Sequence, residues 1–210
     1  MDPYLTEFCA IVVIHLFGVM SPGPDFAVVL KNSVGLGRRA GLFTSLGVGI
    51  GVSVHMIYCV LGLGVVVSQS ILVFNVIKFF GAAYLIYIGF RSLRAQPMKS
   101  IQVRDDERLK DFTDRKLFTM GFITNALNPK ATIFFLSLFS VVINPETPIF
   151  VQTLYGLWMV CATIIWFSLV SIFFSKDSVR AHFQRLGHWF ERAMGALLIS
   201  LGLRLAFTSR

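Results

Sequence analysis

Apolar residues run along this chain in six stretches, at 5–30, 40–67, 70–92, 117–142, 149–174 and 189–208, separated by short polar joins. A run of about 20 apolar residues is long enough to cross the hydrocarbon of a bilayer as a helix, so the pattern predicts six membrane spans. The second and third are parted only by a Ser68-Gln69-Ser70 turn, the fourth and fifth by Asn144-Pro145-Glu146-Thr147-Pro148. Segment 93–116 is the one substantial hydrophilic join, and its mixed charges read as a solvated linker. Segment 176–192 sets Val179, Phe183, Leu186, Trp189 and Phe190 against Arg180, His182, Arg185 and His188. That predicts an amphipathic helix on the membrane surface before the sixth span.

Two of the six stretches are interrupted. Ser21-Pro22-Gly23-Pro24-Asp25 breaks the first and Asn128-Pro129-Lys130 the fourth, with Pro24 and Pro129 105 residues apart in a chain of 210. A broken helix frees backbone groups that hydrocarbon cannot satisfy, so such breaks face protein or a water-filled cavity. Matched breaks in the two halves of a membrane protein point to a substrate site. Ser21 and Asn128 are good N-caps, and Pro suits a first helical turn. Each motif therefore predicts a fresh helix start inside the membrane, with N–H donors and partial positive charge suited to a carboxylate.

Composition agrees with the spans. The chain is 55% hydrophobic and 14% charged, where a soluble domain carries about 25% charged residues. The net charge of +8 does not point to nucleic acid, because the basic residues sit in short joins between apolar runs; anionic lipid headgroups are the matching partner. The first stretch lacks a basic start and a small-x-small cleavage site, having Asp2 and Glu7 instead, so it is not read as a signal peptide. Cys9, Cys59 and Cys161 have no CxxC spacing and read as small buried hydrophobes. No metal or cofactor is implied.

Charge also sets orientation. The first, third and fifth joins, counted with Arg91 and Arg192 at their edges, hold 15 of the 19 Lys and Arg residues, and the second and fourth hold none. The odd joins are therefore cytoplasmic and both termini lie outside. Three spans per half invert the second half relative to the first. The expected fold is thus an all-α membrane protein, six helices in a 3+3 inverted repeat with helices 1 and 4 broken at the prolines. The first repeat is 1–92, the cytoplasmic loop 93–116 and the second repeat 117–210.

The charges after the breaks are unlike. Lys130 lies about 21 Å of helix from Lys116, well inside the bilayer, and a charge there costs about 2.5–3.5 kcal/mol on the insertion scale. Three readings are open: Asp25 a helix-start residue and Lys130 a snorkelling one, the two as a fixed ion pair, or the two as a ligand site. In the third, Asp25 meets an ammonium while Lys130 and the helix ends meet a carboxylate, which fits a zwitterionic α-amino acid. The expected binding set is Ser21, Pro22, Gly23, Pro24, Asp25, Asn125, Asn128, Pro129 and Lys130. Asp25 and His55 are proton-carrier candidates, although a satisfied core histidine is an equal reading for His55; His15 shares that ambiguity with nothing patterned around it. In the second span Gly41, Ser45, Gly49 and Ser53 form one row of small residues and Gly47, Gly51 and His55 a second. Such rows let helices approach closely and permit a homo-oligomer.

Rival classes fit less well. A metal-cation transporter would want a His/Cys/carboxylate cluster rather than a lysine at the site. A thiol-redox carrier on a similar scaffold would need cysteines at the breaks, where Asp25 and Lys130 stand. An intramembrane hydrolase would need a serine–histidine or paired-aspartate arrangement.

The motifs Ser21–Asp25, Gly37-Arg38-Arg39-Ala40-Gly41-Leu42, Gly81–Gly89, Asn125–Ala131 and Gly202–Ala206 occur in an order that resembles the LysE/RhtB family across nearly the whole chain. These are bacterial inner-membrane exporters of amino acids and derivatives such as lysine, threonine, homoserine and leucine. The resemblance, closest to the RhtB branch, implies proton-driven efflux of neutral or hydrophobic amino acids or homoserine-type compounds. One departure is that Phe139-Ser140-Val141-Val142 stands where relatives often carry a Pro-Gln pair.

Overall fold

The computed structural model describes residues 2–69, 79, 82, 83, 86, 87, 89–95, 112–144, 146–174 and 177–207. These residues are all helix and connection, with no strand among them. The helices are α1 (Pro3–Met20), α2 (Pro24–Gly35), α3 (Arg38–Gln69), α4 (Asp114–Ala126), α5 (Pro129–Val142), α6 (Ile149–Phe173) and α7 (Asp177–Phe207). The described residues between 79 and 93 are helical too. Most of the expected third span, and 96–111 of the hydrophilic join, lie outside the described residues.

Three helical segments, Pro3–Met20, Arg38–Leu61 and Ile149–Phe173, are long and apolar enough to cross a membrane. Yet only 11% of the α1 span and 33% of the α6 span is buried inside the chain. Val13, Phe17, Leu157, Ile165 and Phe173 face outward. A helix that is apolar all round but mostly uncovered needs an apolar solvent, and lipid is that solvent.

Helix ends follow local chemistry. Asp2 caps α1 by accepting from the Tyr4 N–H at 2.9 Å, with Pro3 in the first turn. Thr113 caps α4 through the Lys116 N–H at 3.3 Å, and Arg39 closes the same end with a bidentate pair to Asp114 at 2.7 and 3.2 Å. Gly37, at φ 91°, is the one positive-φ position among the described residues. It turns α2 into α3 where a side chain would be strained.

The small-residue rows are spent inside the chain. A Cβ built on Gly41 would collide with the Ser33 and Ser171 hydroxyls, and one on Gly49 with Ile164, so the first row seats α2 and α6. A Cβ on Gly47 would strike the Phe118 carbonyl, one on Gly121 the Thr44 carbonyl, and one on Gly51 the Asn125 side chain. The second row therefore seats α4 with backbones nearly touching. Because both rows are occupied this way, they give no support to an oligomer.

Two expectations are corrected here. The helix of α3 continues through Ser68 and Gln69, so a turn there begins no earlier than Ser70, outside the described residues. The surface helix and the sixth span are one uninterrupted helix, α7, of 31 residues. The amphipathic-to-apolar change in side chains does not interrupt a backbone ladder, and Gly187, Gly195 and Gly202 within the helix each cost only about 1 kcal/mol.

At the start of α1, Glu7 gathers the join that follows α5. Its carboxylate accepts from the Asn144 N–H at 2.9 Å and the Thr147 hydroxyl at 3.0 Å, while the Tyr155 hydroxyl beside it donates to the Tyr4 carbonyl at 2.8 Å. Glu7→Ala strands the buried Thr147 hydroxyl and is expected to cost about 1–2 kcal/mol. It should lower the melting temperature in detergent, with Glu7→Gln recovering part of the loss through its remaining acceptor. Equal losses in both variants would show that charge, not hydrogen bonding, is what matters there.

Candidate functional site

The chain passes from α1 to α2 through Ser21, Pro22 and Gly23, and from α4 to α5 through Leu127 and Asn128. These two joins meet. Asp25, in the first turn of α2, accepts through Oδ2 from the side-chain amides of Asn125 and Asn128, each at 3.0 Å. In return Lys130, in the first turn of α5, donates through Nζ to the Ser21 hydroxyl at 2.8 Å and the Pro22 carbonyl at 3.1 Å. Each half of the chain thus holds the charged residue of the other.

The two helix starts are not equivalent. Asn128 caps α5, its Oδ1 accepting from the Lys130 N–H at 3.0 Å. Ser21 does not cap α2, contrary to the expectation. Its own N–H closes α1 on the Gly18 carbonyl at 3.2 Å, and its hydroxyl is taken by Lys130. With Pro24 in the first turn, Gly23 becomes the N-cap and offers no side chain. The α2 terminus therefore keeps its positive end uncovered beside Asp25.

Between these groups lies a cavity of about 70 Å³, room for several waters at about 10–15 Å³ each. It sits where three apolar clusters join, bordered by Val52 and Phe135 of one, Phe26 and Phe167 of another, and Met194 and Leu198 of the third. Its polar wall is Ser21, Asp25, Asn125, Asn128 and Lys130, with Gly23 against the lysine. Pro22 enters through its carbonyl; Pro24 and Pro129 begin the helices without bordering the cavity.

Asp25 and Lys130 are not an ion pair. Among the described residues the one pair within 4.0 Å is Arg39–Asp114. Asp25 Oδ1 and Asn125 Oδ1 are buried with no hydrogen-bond partner among the described residues. Lys130 uses two of its three donors. The wall thus presents two acceptors on one side and a cation on the other.

His55 takes the satisfied-core alternative of its sequence reading. His55 Nε2 lies 2.9 Å from the Asn125 carbonyl, which can only accept, so Nε2 carries the proton. Its Nδ1 then accepts from the Tyr58 hydroxyl at 2.5 Å. Both ring nitrogens are satisfied, and His55 stands behind Asn125 rather than on the cavity. His15, given little weight from sequence, is 1% exposed and borders the cavity. Its partner is Thr163, 148 residues away, a pairing no local pattern could reveal. Cys9, Cys59 and Cys161 are free, and only Cys59 is buried. Among the described residues no cluster of three His, Cys, Asp or Glu side chains is placed to hold a metal.

A family model described as LysE type translocator matches residues 16–209. The chain belongs to that family. This translocator is 33% identical over 99% of its length to an uncharacterized membrane protein, YahN, of Escherichia coli K12, covering 92% of that protein. It is 28% identical to the threonine efflux protein of Salmonella typhi, over 96% of this chain and 98% of that one. It is 30% identical to an uncharacterized membrane protein, YrhP, of Bacillus subtilis, over 89% and 91% of the two chains. No solved structure matches the translocator. Family membership and the apolar spans together make it a membrane protein.

Proposed function

We propose that this translocator exports a small neutral amino acid, of the threonine or homoserine type, from the cytoplasm in exchange for protons. The observation that carries this reading is the mutual clasp of Asp25 and Lys130 around one cavity. The free Asp25 and Asn125 oxygens suit an α-ammonium. The third Lys130 donor and the uncovered α2 terminus suit an α-carboxylate. A zwitterion brings both charges at once, so neither protein charge is left uncompensated. The threonine efflux proteins among its relatives support the substrate class.

In this reading the joins at 21–23 and 127–128 are breaks within two membrane-crossing units. The chain makes six crossings in two inverted three-helix repeats, 1–92 and 117–210, around a cytoplasmic loop at 93–116. Both termini face outward from a bacterial inner membrane. Asp25 carries the coupling proton when the substrate ammonium leaves it, and His55 positions Asn125.

The test is efflux from proteoliposomes loaded with an equimolar amino-acid mixture, with and without acid outside. Selective loss of threonine or homoserine, accelerated by the gradient, is expected. Loss of no amino acid overturns the proposal, and selective loss indifferent to the gradient overturns proton exchange alone.

A further inference from the structure

On the cavity wall, His15 of α1 meets Thr163 of α6. The Thr163 hydroxyl has one proton, and it goes to the Met159 carbonyl at 2.8 Å. Toward His15 Nε2, at 3.2 Å, the hydroxyl oxygen can therefore only accept. Nε2 is then the protonated nitrogen of a neutral ring, and Nδ1 is left as a bare acceptor. That atom is buried and has no partner among the described residues. Phe135 and Trp158 pack on the ring, with centroids at 6.0 and 5.6 Å, and fix its plane.

A buried acceptor without a donor is costly, and the apolar side chains that share the cavity with His15, such as Phe134, Phe135, Met194 and Leu198, offer it no donor. His15 is five residues from the end of α1 at Met20, about 7.5 Å of helix. The clasp begins at the next residue, Ser21, and His15 and Ser21 border the same cavity.

We propose that His15 is a specificity-determining residue, its Nδ1 accepting a hydrogen bond from a hydroxyl on the substrate side chain, with Thr163 as the positioning residue that holds the ring in this tautomer. This rests on the amino-acid reading of the clasp. It adds that the cavity distinguishes a hydroxyl from a methyl group of the same shape. A site that hydrogen-bonds a substrate hydroxyl discriminates strongly against the analogue lacking it, because the buried partner is then stranded.

The experiment compares threonine with its isostere valine in the same proteoliposomes, so that the rate ratio cancels the amount of folded protein. Wild type is expected to favour threonine by at least about tenfold. His15→Gln keeps an amide near the Nε2 position but has no atom at Nδ1, and should bring the ratio close to one. His15→Asn, which can place an oxygen near the Nδ1 position, should retain part of the preference. Thr163→Val should lower the ratio and Thr163→Ser restore it, which also covers a His15 variant that fails to accumulate. An unchanged ratio in both His15→Gln and Thr163→Val overturns the assignment while leaving amino-acid export standing. Export of neither amino acid by wild type overturns the export reading, and this inference with it.

Discussion

Asp25→Asn is expected to reduce efflux about 100-fold or more while leaving the folded protein in the membrane. The substitution is isosteric. Its oxygen can still accept from Asn125 and Asn128, as Asp25 Oδ2 does now at 3.0 Å from each. The clasp therefore survives, and detergent melting should change little. What changes is the other atom: an NH2 donor replaces Oδ1, the acceptor now lacking a partner. A donor there opposes an incoming ammonium and carries no proton between the two sides. Loss of a charge-assisted bond of about 1.5–3 kcal/mol is worth up to about 100-fold alone, and the repulsion adds to it. Wild-type efflux by Asp25→Asn would remove Asp25 from the site. Loss of the folded protein together with transport would make it a structural residue.

Gly121→Val is expected to do the opposite, abolishing the folded protein before transport can be asked about. A Cβ at 121 would collide with the Thr44 carbonyl and press on the Val48 N–H at 3.0 Å. Those are backbone atoms of α3, which cannot rotate aside, so the helices must separate. Overpacking costs about 1–3 kcal/mol where side chains can yield, and here none can. Separation would also pull on the Asn125–Asp25 bond and loosen His55 from the Asn125 carbonyl. Size-exclusion profiles of the solubilised protein should show loss of the monodisperse peak. The matched control is Gly23→Ala, whose Cβ would meet nothing closer than Lys130 Nζ at 3.8 Å and should leave that peak intact. A monodisperse Gly121→Val protein would mean that α3 and α4 do not pack as closely as this.

Gly47 and Gly51 announced a close helix partner because only sterics is involved, and sterics is written in residue size. Which helices took the rows was not legible, since apart from Ser33 the partners Phe118, Asn125, Ile164 and Ser171 lie 70 or more positions away. The proline joins were legible for a similar reason: proline lacks an N–H wherever it stands. Ser21 misled because an N-cap signature is local, whereas its hydroxyl was claimed by a lysine 109 residues on. His55 and His15 shared one ambiguity in sequence, with only His55 set inside a pattern. Only long-range partners separate them, one satisfied at both nitrogens and one at a single nitrogen. The continuity of α7 was hidden because hydrophobicity changes along it while helix propensity does not.

The turn at Gly37 has a kinematic consequence. Leu36 and Gly37 alone join α2 to α3, and two residues span at most about 7 Å. Asp25 rides on α2, whose far end is thus tethered to a helix seated backbone-to-backbone on α4 and close against α6. Axial sliding of α2 is restrained by that tether, so widening of the cavity falls to the helices outside that packed set: α1 and α5, swinging about Ser21–Gly23 and Leu127–Asn128, and α7, which brings Met194 and Leu198. The two joins would then be the pivots of the machine, and α2, α3, α4 and α6 its chassis.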